Sequence, residues 1–309
     1  MFGPEQSESA FWYSKKKRLE GAANSHTLFR PPAEADSLII SVVDGCPWNG
    51  CTFCGMYKGV TYKFHGLESV EKEFLKAAKQ WPSARRIFLA DGDVMNLPFQ
   101  TLETMLVSLN EKFTGLARVS VYANGASILA KTDAELRRLK ELKLHTLYMG
   151  LESGDNETLR AVNKRESAEE MVEAGLRAQT AGLRMSVMVL IGLAGKERSL
   201  EHARATADAV NKMQPRLLSA LRLVTTANTS LYHSGFKMIT EYDAVVELRE
   251  MIQGLELEQT VFRADHSSNI VPLEGRFPKD KERLLAQLDA LLSSGQLDKK
   301  SPGRLPWSL

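Results

Sequence analysis

From Ser37 to Val224 short β-branched runs alternate with helical ones, and this alternation limits the folds open to the chain more than any other feature. Strands are expected at Leu38–Val43, Arg86–Leu89, Arg118–Tyr122, Leu147–Leu151, Met185–Ile191 and Leu217–Val224. Between them lie helices near Val70–Trp81, stopped by Pro82, and near Leu102–Phe113. Two more open on capping boxes, Thr132 with Glu135 and Ser167 with Glu170, and a fifth spans Ser199–Met213. Strands alternating with helices require a parallel sheet with right-handed crossovers, and six such units are two short of a closed eightfold barrel. The expected fold is therefore α/β: a partial (β/α)6 TIM-like barrel over residues 36–235, an N-terminal extension over 1–35 and a C-terminal helical cap over 236–309. The cap is read as a helix near Ala244–Leu255, an irregular stretch Thr260–Phe277, and a helix begun by Pro278 that carries Leu284, Leu285, Leu288, Leu291 and Leu292 on one face.

The only three cysteines of the 309 residues fall within nine positions, Cys46-Pro-Trp-Asn-Gly-Cys51-Thr-Phe-Cys54, in the loop after the first strand. An odd number so tightly grouped makes no disulfide framework, whereas thiolates spaced in this way can wrap one metal centre. Three thiolates suit a four-iron cluster with one iron left open to a ligand. A structural zinc with His65 as fourth ligand is the alternative, although the gap of eleven residues from Cys54 fits usual zinc spacing poorly. The loop belongs at the carboxyl end of the sheet, where parallel α/β folds place their chemistry.

Alternation within strands supplies a second constraint, since side chains two apart share a face. Tyr148, Gly150 and Glu152 share one, Ser120, Tyr122 and Asn124 another, and Asp91 and Asp93 a third. Barrel strands are normally apolar on both faces, so polar sets ending at the carboxyl tips are expected to line an upper cavity. Arg222 interrupts an apolar sixth strand and needs an anionic partner: a barrel acid such as Glu152, or a carboxylate of cosubstrate or substrate. Arg263, Asp265, His266, Ser267, Ser268 and Asn269 form a polar segment that could fold across the barrel mouth.

Taken together, Cys51-Thr-Phe-Cys-Gly-Met-Tyr-Lys58, Leu89-Ala-Asp-Gly-Asp93, Tyr122-Ala-Asn124, Gly150-Leu-Glu-Ser-Gly154, Ile191-Gly-Leu193 and Phe262-Arg-Ala-Asp-His-Ser-Ser-Asn269 resemble a subgroup of the radical S-adenosylmethionine (radical SAM) superfamily over about residues 36 to 292. The common cysteine spacing of that superfamily is three then two; here it is four then two. The resemblance implies a [4Fe-4S] cluster on Cys46, Cys51 and Cys54, with S-adenosylmethionine as cosubstrate. It implies that Phe53 stands beside the last cysteine, that Asp91, Gly92 and Asp93 receive the methionine ammonium, that Asn124, Glu152 and Ser153 face the sugar or methionine, and that Gly192 and Leu193 lie against adenine. Reductive cleavage of the sulfonium to a 5′-deoxyadenosyl radical, which takes hydrogen from a small molecule, is the implied reaction. Arg222, Arg263, His266 and Asn269 are candidates for the substrate, which is anionic if Arg222 meets it. Where the subgroup carries Gly-Thr-Pro after the sixth strand, this chain has Ala227-Asn-Thr-Ser-Leu231, so an altered substrate pocket is expected.

With every cysteine spent on one cluster, a hydrogen atom must be returned by another group, and Tyr57 and Tyr148 are the candidates. An external electron donor such as flavodoxin or ferredoxin is the implied partner. A tRNA- or peptide-modifying member of the superfamily and a non-catalytic zinc or iron-sulfur protein are the competing readings. With 40 Lys plus Arg against 38 Asp plus Glu, charge gives no reason to expect nucleic acid, and the one basic run, Lys15-Lys16-Lys17-Arg18, is short. No stretch approaches the roughly 20 apolar residues of a membrane helix, and no signal core precedes the barrel, so a cytoplasmic protein is expected. A phosphate loop fails at Gly192-Leu-Ala-Gly-Lys196, which lacks the first glycine and the final Ser or Thr, and no Gly-x-Gly-x-x-Gly follows the first strand.

Overall fold

The computed structural model of the chain describes residues 28–305; the basic run at 15–18 lies outside the described residues. Strand β1 (Leu38–Ser41) runs into a small antiparallel ribbon, β2 (Val43–Asp44) paired with β3 (Lys63–Phe64), and the cysteine loop is the excursion between these two. There follow α1 (Leu67–Gln80), β4 (Arg86–Ala90), α2 (Phe99–Lys112), β5 (Arg118–Tyr122), α3 (Gly125–Leu129), α4 (Asp133–Glu141) and β6 (Leu144–Glu152). The second half continues with α5 (Asn156–Ala161), α6 (Ala168–Thr180), β7 (Arg184–Ile191), α7 (Ser199–Met213), β8 (Leu217–Arg222), α8 (Ser230–His233) and α9 (Glu241–Gly254). The chain then adds β9 (Val261–Ala264), β10 (Leu273–Arg276) and α10 (Lys281–Ser293).

The sheet order is β1-β4-β5-β6-β7-β8-β9-β10, parallel throughout except for the last strand, which runs antiparallel to β9. Because β1 and β10 do not pair, the barrel is partial, with one side open. The six expected strands are present in their expected order. The stretch expected to be irregular instead contains β9 and β10, which extend the sheet at its far edge. Each is four residues long and a polar turn separates them, so neither offers the run of alternation by which a strand is recognised.

Helices form one continuous outer layer, since α1 packs on α2, α2 on α4, α4 on α6, α6 on α7, α7 on α9 and α9 on α10. On β7 the residues facing this layer are apolar: Met185, Val187, Val189 and Ile191 are all buried in the main core. The opposite faces turn inward, where Phe88, Tyr122 and Tyr148 pack edge to face with centroids 5.2–6.3 Å apart. Such contacts add roughly 0.5–1.5 kcal/mol each beyond burial. At the amino end of the strands, a short 3-10 turn at Pro32–Glu34 inserts Glu34, whose carboxylate accepts from Tyr148 Oη at 2.8 Å and from Ser37, with Arg118 3.7 Å away. The barrel is thereby filled below and left open toward its carboxyl tips.

Candidate functional site

Three turns at the carboxyl ends of the strands grip the cysteine loop. At the tip of β4, Gly92 N donates to Gly45 O at 3.2 Å, and a β-carbon on Gly92 would lie 2.3 Å from that carbonyl oxygen. Asp91, fully buried, accepts from Tyr57 Oη at 2.8 Å, while Tyr62 Oη donates to Asp93 O at 3.1 Å. After α5, Val162 O accepts from Thr52 N at 2.9 Å and Asn163 O from Trp48 Nε1 at 2.9 Å; Asn163 Nδ2 returns a bond to Gly50 O. After β8, Asn228 Nδ2 donates to Gly55 O at 2.9 Å and Leu231 N to Thr52 O at 3.0 Å. The last turn is the stretch Ala227–Leu231 whose sequence departs from the subgroup, and it serves to clasp the loop.

The three cysteines are free thiols, each partly exposed. Burial pushes the Cys51 thiol up to about 12 and raises Cys54 as well; both sense Cys46 and Glu152, and Cys51 also senses the Lys164 ammonium, which pulls the other way. Burial lowers Lys164, but Glu152, Cys51, Glu166 and Cys46 together outweigh it and leave its pKa raised. Glu152 ends β6 with φ 62°, beside a bulge against β7, and its carboxylate folds back over Gly150, where a β-carbon would lie 1.9 Å from Oε1. Desolvation raises Glu152, and Lys164 opposes this. Lys164 escaped the sequence reading because no local pattern links a turn after α5 to the cysteines.

The donor set suits a cluster rather than a single ion. Among the described residues no three His, Cys, Asp or Glu side chains are grouped to hold one metal ion, and His65 pairs with Asp44 at 3.0 Å. A four-iron cluster takes one thiolate on each of three irons, so it asks for three separated thiols on one loop with none of them bonded to another. Cys46, Cys51 and Cys54 lie on one loop, and none is bonded to another.

Around the thiols, several expected residues come together. Phe53 and Leu193 pack into one apolar cluster with Val162, Leu223 and Leu231 above the barrel. Asn124 Nδ2 donates to Asp93 Oδ2 and Ser127 Oγ to Oδ1, both at 3.0 Å, with Asn124 also capping α3. Burial raises the Asp93 carboxyl to about 7 against those two hydrogen bonds. Gly192, at φ 87° just past β7, gives its N–H to Glu247 at 2.6 Å.

Other expected residues are placed elsewhere. Ser153, which the resemblance put beside the cosubstrate, is fully buried and bonds His202 Nδ1 at 2.7 Å in the helix layer. Tyr148 spends its hydroxyl on Glu34 at the amino end, and Tyr57, buried, spends its own on Asp91. Arg222 shares the outward face of Leu218 and Ala220 in β8. It donates to Pro302 O at 2.6 Å and Ile239 O at 3.4 Å, while Nε and Nη1 have no hydrogen-bond partner; it meets neither Glu152 nor the cavity.

Arg263 shares the inward face of β9, in register with Ser219, and pairs with Glu274 across β10. The following turn sits on the tip of β8 rather than across the mouth: Asn269 Nδ2 donates to Ala220 O at 2.9 Å and Arg222 N to Ser268 Oγ at 3.2 Å, with His266 Nδ1 2.7 Å from the same hydroxyl. A groove of about 400 Å³ between α6 and α7, lined by Gly154, Val172, Leu176 and Ala205, opens on the outer layer and has no thiol in its lining.

Comparison with known proteins agrees with this geometry. A family model described as "Radical SAM superfamily" matches residues 40–208. The chain resembles the FeFe-hydrogenase maturase HydG from Carboxydothermus hydrogenoformans, with 22% identity, TM-score 0.50, and coverage of 81% of this chain and 56% of that one. It also resembles methylornithine synthase (PylB), with 17% identity, TM-score 0.51, and coverage of 82% and 80% respectively. A third likeness is coproporphyrinogen III oxidase (HemN) from Escherichia coli, described as a radical SAM enzyme, with 16% identity, TM-score 0.52, and coverage of 70% and 51%. At these identities the likenesses establish the fold alone, and the chain spans little more than half the length of the hydrogenase maturase. No curated protein sequence matches the chain.

Proposed function

This chain belongs to the radical SAM superfamily, an enzyme family that uses a [4Fe-4S] cluster and S-adenosylmethionine, and we propose that it takes hydrogen from a small-molecule substrate at the open end of the partial barrel. When bound, the cluster and cosubstrate supply reductive cleavage of the sulfonium and a carbon-centred radical strong enough to break a C–H bond. Every other contribution comes from the chain: binding, orientation and exclusion of water. Cys46, Cys51 and Cys54 would hold the cluster. Lys164, the cation that the Cys51 thiol and Glu152 both sense, supports an anionic group there, either the thiolate-bound cluster or the cosubstrate carboxylate. Phe53 and Leu193 offer an apolar wall to an adenine ring. Asp91 and Asp93 act through the turn they stabilise, since Tyr57, Asn124 and Ser127 hold their carboxylates.

The observation that carries this reading is the docking of one three-thiol loop onto the tips of β4 and β8 and the turn after α5, with Glu152 and Lys164 beside the thiols. Anaerobic reconstitution should give about four iron and four sulfide per chain, and a reductant, with flavodoxin or ferredoxin as the donor in the cell, should drive S-adenosylmethionine to methionine and 5′-deoxyadenosine. Zinc without iron, or iron without nucleoside cleavage, would refute it. The metabolite that raises 5′-deoxyadenosine formation above the uncoupled background is the substrate. Arg263, on the inward face at the open edge, is the charged side chain best placed to meet it.

A further inference from the structure

Behind the tips of β6 and β7 lies a buried polar network that the proposed chemistry does not use. Its centre is Glu247 of α9, a carboxylate with no solvent exposure that is placed 39 residues beyond the stretch matched by the family model. Oε1 accepts the Gly192 N–H at 2.6 Å, and Oε2 accepts a short hydrogen bond from Ser199 Oγ at the first turn of α7. His202 Nε2 lies 3.4 Å from Oε1 and 3.1 Å from Leu190 O, while its Nδ1 meets Ser153 Oγ at 2.7 Å. One carboxylate thus ties three pieces together: the turn after β7, the start of α7 and, through the imidazole, the tip of β6. Gly192 is at φ 87°, and a β-carbon there would press on Ile239, which also lies beyond the matched region. Backbone groups buried away from water must find partners, and a turn with no ladder partner on its outer side is only as fixed as the side chain that accepts its N–H.

We propose that Glu247 is a positioning residue by which the C-terminal segment fixes the Ile191–Leu193 turn and so sets the affinity for S-adenosylmethionine. This rests on the reading above, in which Gly192 and Leu193 face the cosubstrate. A carboxylate suits the task because it accepts from several donors at once and is too buried to turn elsewhere; an apolar residue in its place would leave the Gly192 N–H and the Ser199 hydroxyl without acceptors.

The test compares Glu247→Leu with Glu247→Gln in cluster-loaded, oxidised protein, where binding occurs without turnover. Hydrogen exchange of the peptide spanning residues 190–195, read by mass spectrometry, should be about tenfold faster in Glu247→Leu, with β4 and α10 unchanged. Calorimetric titration should show S-adenosylmethionine bound about tenfold more weakly, the loss of one hydrogen bond to a charged acceptor. Glu247→Gln keeps an oxygen for the Gly192 N–H and should restore both values, which a role in bulk packing alone does not predict. If Glu247→Leu does not fold, Ser199→Ala in the Glu247→Gln background carries the same comparison, since it removes a second point of the tie. Unchanged exchange in the turn would overturn the inference and leave the functional reading intact. Faster exchange with unchanged affinity would overturn both, since the turn would then not face the cosubstrate.

Discussion

At the scale of single residues, the cysteine loop depends on a contact too close for any side chain. Gly92 lies against Gly45 O because it has no β-carbon, and an added one would stand 2.3 Å away. Gly92→Ala must push the β4 tip and the loop apart, at roughly 1–3 kcal/mol or more. We expect it to lose iron on gel filtration while retaining all three cysteines; iron retention equal to wild type would show that the tip does not hold the loop. Asp93→Ala has a different outcome. Its carboxylate accepts from Asn124 and Ser127, so removal strands both donors and should lower stability by about 1–3 kcal/mol in chemical denaturation, besides weakening the cosubstrate. An unchanged denaturation midpoint would place Asp93 outside the tie between β4 and α3. That Asp91-Gly92-Asp93 makes a turn at the tip of the barrel's second strand was legible from its position. That its carboxylates point into the protein was not, since alternation gives the face of a residue but not its partners.

At the scale of elements, the tie between α7 and α9 predicts a pH dependence. Burial raises Glu247 to about 7, above its unfolded value, so the stability it contributes is full below roughly 4.5 and is lost as pH rises through 7. His202 is depressed by burial to about 4, so its contribution is present above roughly 6.5 and is lost as pH falls toward 4. Asp243, one turn away on α9, adds to the shift of Glu247. The two pH dependences oppose each other between those values; above about 7 the carboxyl contribution is gone and the imidazole one is fully present. Urea unfolding of wild type and Glu247→Gln at pH 5 and pH 8 isolates the carboxyl one: wild type should lose stability relative to the variant on going to pH 8, by up to about 3 kcal/mol. A difference that is constant with pH would mean that Glu247 is ionised throughout.

This network was illegible in the sequence for a physical reason. Capping boxes such as Thr132 with Glu135 and Ser167 with Glu170 join residues three apart and were read correctly, whereas Glu247 and Gly192 meet only after the whole barrel has folded. Ser153 joins the same network through His202, a partner 49 residues away that no local pattern announces.

At the scale of the whole molecule, the segment after β8 acts on both layers of the fold. It extends the sheet with β9 and β10, closes the helix layer with α9 and α10, and sends residues 298–303 back over Arg222. Among the described residues no helix is long and apolar enough to cross a membrane. The two arginines of this region therefore have opposite expected roles. Arg222 faces outward among helices, and burial lowers its basicity more than nearby Glu241 restores it; its head donates to the carbonyls of Ile239 and Pro302, while Nε and Nη1 have no hydrogen-bond partner. A buried charge so poorly compensated costs more than it returns, so Arg222→Met should leave the melting temperature equal to wild type or a few degrees higher. Arg263, paired with Glu274, lies on the inward face beside the open edge between β10 and β1, the side proposed for the substrate. Arg263→Ala should keep the slow, substrate-free formation of 5′-deoxyadenosine and lose most of its stimulation by substrate, while Arg222→Met keeps both. The reverse pattern, with stimulation lost in Arg222→Met and intact in Arg263→Ala, would move the substrate from the barrel's open side to the helix layer.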